Sequence, residues 1–198
     1  MENSDYKYNF QELLCLKKFS NTFKVFSSDE FSQAVVSWAE REVIAGVDSE
    51  ALLIIASLGL DSTIDSYEVE KYLLIYQREL SVQEPSPRYS ALVWLRLQLE
   101  QLIAASSAQE IECRLSFFTH YFLDYPPRTF ACITNTLSNL YWELYDESTP
   151  VFSSRASEMS EDQLLALIKD RLFPFYRILS NSDWIQVLAS ASNSKSSQ

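Results

Sequence analysis

Apolar residues recur along this chain at spacings of three and four, the period of a helix that buries one face. The pattern predicts a first helix over residues 10–26, with Leu13, Leu14 and Leu16 on its apolar side. Ser27 and Glu30 stand at capping-box spacing ahead of a second helix, in which Phe31, Val35, Trp38 and Ala39 share a face. Gly46 is placed to end that helix in a left-handed cap. Ser49 caps a third helix over residues 50–58, apolar almost all round and therefore expected to be buried, which Gly59 terminates.

Asp65 with Glu68 marks the next start, and Val69, Tyr72, Leu73, Tyr76 and Leu80 continue it as the most regular amphipathic stripe in the chain. The prolines of residues 81–88 exclude helix there. A long helix to about Ala105 follows, with Leu92, Leu95, Leu99, Leu102 and Ile103 on one side. Ser107 and Glu110 box a sixth over residues 107–123, residues 124–127 break it, and residues 127–147 form a seventh. Ser160 and Gln163 cap a helix to about Leu172, where Pro174 forces a break or kink before a short helical piece at residues 183–189.

The implied fold class is all-α: a single-domain bundle of about eight helices, with HEAT-like stacking as a variant that short loops would suit. Residues 1–147 read as the main helical body and the Ser-rich residues 148–160 as a loop or linker. Residues 161–190 then read as C-terminal helices packing on the body, and 191–198 as a disordered tail.

Composition narrows the chemistry. The chain has 198 residues, 47% of them hydrophobic and 22% charged, as an ordinary globular protein does. Glycine is scarce: Gly46 and Gly59 are the only two. Two glycines cannot furnish a phosphate-cradling loop, a dinucleotide fingerprint or the turns of a many-stranded sheet.

The formal net charge is −11, distributed as −4 over residues 1–50, −4 over 51–85, −3 over 86–147 and zero over 148–198. Such a field repels nucleic acid and anionic lipid and attracts basic proteins, although acidity also serves plain solubility. Cys15, Cys113 and Cys132 have no paired spacing and sit among apolar neighbours, so reduced core thiols are expected. The first ten residues lack the basic-then-apolar pattern of a secretory signal, and the longest apolar run, residues 51–56, is far short of a membrane span. A cytoplasmic protein is expected.

Catalytic equipment is sparse. The lone histidine, His120, stands among Phe117, Phe118, Tyr121 and Phe122 and reads as structural. One histidine and three scattered cysteines give no zinc spacing, no GxSxG pattern is present, and Cys113 lies two helical turns from His120. No Glu-x-x-His motif exists, because Phe117 occupies the position three before His120. The chain is therefore read as a non-enzyme without cofactor or metal. A metal-dependent helical hydrolase built on carboxylates is the weakest alternative.

Two surfaces look suited to a partner. On the seventh helix, Phe130, Ile133, Leu137, Leu140, Tyr141 and Leu144 define an apolar face, and Trp142 falls roughly 150° from its centre. Asn139, Glu143 and Asp146 share the outward side, Glu147 follows, and Tyr145 borders it. A tryptophan framed by acids suits a basic partner; burial by a second helix layer is the competing reading. Asp61, Asp65 and Glu68 form a second acidic group, of which capping and the helix dipole account for Asp65 and Glu68 but not for Asp61.

Residues 31–80 add a resemblance. Trp38-Ala39 leads to a Gly-x-Asp-Ser turn at Gly46, Asp48 and Ser49; a Leu-rich short helix follows, then Tyr67, Glu68, Val69 and Tyr72. This succession resembles small acidic immunity proteins of contact-dependent and other polymorphic bacterial toxin systems. It covers about a quarter of the chain, mostly core and capping positions. The resemblance implies neutralisation of a cognate toxin domain, often a cationic nuclease, by a 1:1 complex that blocks its active site; the negative charge and the short apolar runs argue separately against a nucleic-acid or membrane partner. An adaptor or chaperone-like scaffold that receives helices in a groove is the alternative of a different class.

Overall fold

The computed structural model describes residues 7–23, 27–120, 125–145 and 155–191, with the side chains of residues 21–23 and 120 excluded. Nine α-helices and one 3-10 turn account for nearly all of the described residues, and no strand occurs among them. They are α1 (Phe10–Phe23), α2 (Ser28–Ile44), α3 (Glu50–Leu58), α4 (Ser66–Glu79) and α5 (Pro87–Ile103). After these come α6 (Ala108–His120), α7 (Arg128–Tyr145), the 3-10 turn Arg155–Glu158, α8 (Glu161–Leu179) and α9 (Ser182–Ser190). The chain divides into two compact units, residues 1–90 and 91–198, so the division falls inside α5. Of the expected linker, residues 148–154 lie outside the described residues, as do 24–26, 121–124 and the tail residues 192–198.

In the first unit α2 packs on α1, α3 and α4, and α3 also packs on α4. Local signals start most of these helices. Asn9 and Glu12 bond reciprocally, each backbone N–H donating to the other's side chain at 2.9 Å, and so cap α1. Ser27 and Glu30 form the same box on α2, Ser49 accepts from the Leu52 N–H to open α3, and Asp65 accepts from Tyr67 and Glu68 to open α4. Trp38, almost wholly buried, stacks on Phe10 at 5.1 Å and meets the Tyr76 ring at 5.6 Å, while its indole N–H donates to Glu42. Gly46 adopts φ 90°, and the Val47 and Gly46 N–H groups donate back to Glu42 and Val43 in a Schellman turn.

The third helix departs from its pattern. Ala51, Leu52 and Ile55 are buried but Leu53 is exposed, because α2 and α4 cover only one side of α3.

In the second unit Trp94 of α5 lies within about 6.0 Å of the Phe117, Phe118 and Phe130 rings, making an aromatic centre shared by α5, α6 and α7. Pro87 is the first residue of α5, where its missing N–H costs nothing and its fixed φ suits the helix, so helix begins inside the stretch expected to exclude it. Nor does Pro174 break α8, which runs on to Leu179. Pro174 and Asp170, whose carbonyl loses its donor, both lie on the exposed side, where water can satisfy that carbonyl. Among the described residues, no helix is long and apolar enough to cross a membrane.

The cysteines divide. Cys15 is buried, but Cys113 and Cys132 are exposed free thiols and not core residues. Ile111 and Leu115, two positions from Cys113, stand about 160° away around the helix, and Ile133 stands about 100° from Cys132; these face the core without the thiols.

Candidate functional site

The amphipathic character of α7 positions the site. Phe130, Ile133, Leu137, Leu140 and Leu144 are buried together with Thr134, as their spacing requires, and this turns Trp142 outward. Trp142 is 52% exposed; its one aromatic neighbour among the described residues is Tyr141, whose ring meets it edge-on at 5.4 Å. No second helix layer covers it among the described residues. Asn139 and Glu143 are also exposed and line a concavity of about 480 Å³ with Leu140, Asp170, Arg171 and Phe175. Asp146 and Glu147 lie outside the described residues.

The charge beside Trp142 differs from the acidic frame expected. Glu143 is ion-paired to Arg155 of the 3-10 turn, and Arg171 of α8 stands 3.8 Å from the same carboxylate oxygen. Two guanidinium groups thus offset the one described acid, and its role is to hold neighbouring segments to α7. Tyr145 is half-buried, with its ring 5.3 Å from Tyr141. Burial pushes its phenol up to about 12, with the charge of Glu112 adding to the effect.

In the first unit, Asp65 and Glu68 come together as part of a helix start. Asp65 caps α4 through the Tyr67 and Glu68 N–H groups, at 2.9 and 3.2 Å, and Glu68 pairs with Lys71 at 2.9 Å. The hydrogen bond to Glu68 raises the Lys71 ammonium above its ordinary value. Asp61 is different: it is exposed, and its carboxylate pairs with no described residue. Leu60 beside it is 86% exposed, and Ile44 at the end of α2 is 85% exposed. Residues 1–90 carry 15 acidic and 8 basic side chains, so this unit holds most of the excess negative charge.

No protein-family model, no curated protein and no solved structure matches the chain. Among the described residues no group of three or more His, Cys, Asp or Glu side chains is arranged to hold a metal ion.

A further surface escaped the sequence reading. The start of α7, the end of α8 and α9 together form a groove of about 470 Å³, lined by Arg128, Ile133, Phe175, Ile178, Trp184 and Leu188 among others. Its sequence signal is slight: Trp184 lies between the polar residues Asp183 and Gln186 on a short helix. The groove needs three helices, and no single periodic segment announces it.

Proposed function

We propose that the protein binds a basic partner protein one-to-one and neutralises it, as the immunity proteins resembled by residues 31–80 neutralise a toxin domain. The observation that carries this reading is Trp142, half-exposed on the outward face of a helix whose opposite face is buried. Tryptophan is enriched at binding hot spots because it buries a large rigid area at small entropic cost. A net charge of −11 supplies long-range attraction for a cationic domain, such as a nuclease that must meet phosphates. The roles divide by range. Trp142 anchors the contact, whereas unpaired acids such as Asp61 steer the encounter and need not touch the partner. Glu143, held by its two arginines, is structural.

The experiment reads the gene beside this one, where a secreted protein ending in a toxin domain is expected, and titrates that domain kinetically against the chain. A 1:1 complex is expected with a Kd of about 1 nM or below, and an on-rate falling at least about tenfold between low and high salt. Absence of binding, or binding without loss of the domain's toxic activity, would overturn the reading.

A further inference from the structure

The groove between α7, α8 and α9 is chemically unlike the rest of the protein. Its lining is almost wholly apolar, and Ile178 and Trp184 also border an adjoining concavity of about 550 Å³. Trp184 is 57% and Val187 59% exposed, and Phe173 and Ile178 are exposed as well, so apolar surface continues beyond the groove. One guanidinium stands at each concavity, Arg128 at the first and Arg177 at the second. Both are exposed, and neither makes an ion pair or hydrogen bond with a described residue. No carboxylate of a described residue lines either concavity. Asp183, beside Trp184, sits in the first turn of α9, where the helix dipole accounts for it. Two cations that pair with no described residue thus edge an apolar surface on a chain whose net charge is −11.

We propose that this surface receives an acidic amphipathic helix of a partner protein, its apolar residues on Ile133, Phe175, Ile178 and Trp184 and its carboxylates on Arg128 and Arg177. Three physical arguments select that occupant. Charge complementarity selects acid, because a basic segment would face two guanidinium groups that no described carboxylate compensates. The absence of strand among the described residues selects helix. An extended peptide would find no edge to pair with and would leave its backbone groups unsatisfied against apolar side chains, whereas a helix satisfies its own. Extent selects a macromolecule: a small ligand could fill the groove but would leave Phe173 and Val187 wet. The proposal does not depend on the toxin-binding reading, whose partner has the opposite charge.

Two exposed cysteines make the test direct, because Cys132 lines the groove and Cys113 does not. The full chain is alkylated with a thiol reagent in the presence of dodecanoate or of one of three synthetic peptides. The first is a helical peptide with leucines at i, i+3, i+4 and i+7 and glutamates elsewhere. The second has lysines in place of the glutamates, and the third is the glutamate peptide with a central proline. The glutamate peptide is expected to slow alkylation of Cys132 at least about fivefold without affecting Cys113, and the other two to protect far less. In the Arg128→Glu/Arg177→Glu variant, preference should pass to the lysine peptide. The proposal is overturned if no peptide protects Cys132, if the lysine or proline-broken peptide protects it equally, or if only dodecanoate protects it. Protection that grows with protein concentration without peptide would identify a second copy of the chain as the occupant, and would equally overturn the proposal.

Discussion

A Cβ placed on Gly59 would stand 2.6 Å from Cγ1 of Val36 and 2.9 Å from Oε1 of Glu40. Gly59 has an ordinary helical φ of −69°, so glycine is required there for close approach of α3 to α2 and not for backbone conformation. Glu40 is exposed and can swing away; Val36 is buried and cannot. Gly59→Ala should therefore cost about 1–3 kcal/mol in urea unfolding. Val36→Ala should relieve part of that cost, so the double variant should be more stable than the sum of the single effects.

Two Schellman turns give opposite predictions. Gly46 and Ser81 occupy equivalent left-handed positions after α2 and α4, with φ 90° and 53°. Behind Ser81, the Val82 N–H donates to Gln77 and the Ser81 N–H to Arg78, as happens around Gly46. Gly46→Ala should destabilise by about 1 kcal/mol, and Ser81→Gly should stabilise by a similar amount. Chemical denaturation of both variants, each with an unchanged m-value, is the check.

Glu110 connects stability to pH. Its carboxylate accepts from the Ser106 N–H at 3.0 Å and from Arg114 at 3.1 Å, while Arg114 also donates to Gln101 at 2.6 Å. The backbone hydrogen bond from Ser106, then Arg114, holds the carboxyl below its ordinary value of 4.5 despite opposing desolvation. A depressed folded value means stability that is fully present above pH 4.5 and lost as pH falls through the folded value. Glu110→Gln should lose about 0.5–1 kcal/mol at pH 7 and show a shallower acid decline than the wild type. Parallel acid titrations followed by circular dichroism would check both.

Local chemistry was the part of this fold most open to sequence reading. The boxes Ser27/Glu30 and Ser160/Gln163, the caps Ser49 and Asp65, and the left-handed Gly46 all lie within a few residues of the groups they satisfy, and each occurs as expected. Ser107/Glu110 differs by one residue: Ser107 accepts from the Glu110 N–H, but the Glu110 carboxylate reaches Ser106. What depended on distant partners was not legible. Glu143 looked like a free acid because Arg155 and Arg171 approach it only through the fold. Cys113 and Cys132 stand near apolar residues in sequence yet are exposed, because those residues lie on other faces of their helices. Pro174 looked like a break because its solvent exposure, which makes it tolerable inside α8, is a tertiary property.

The all-helical fold and the outward face of α7 followed from periodicity, but the partner did not. Trp142 is consequently the residue on which the functional reading stands. Trp142→Ala removes a half-exposed ring whose one aromatic contact among the described residues is Tyr141, so the unfolding free energy should fall by about 1–2 kcal/mol and leave the variant folded. The decisive measurement is the affinity of that variant, with stability verified, for the toxin domain expected from the neighbouring gene. A loss of about 2 kcal/mol or more, roughly a thirtyfold rise in Kd, is predicted. A loss below about 1 kcal/mol would remove this face of α7 from the interface and contradict the account.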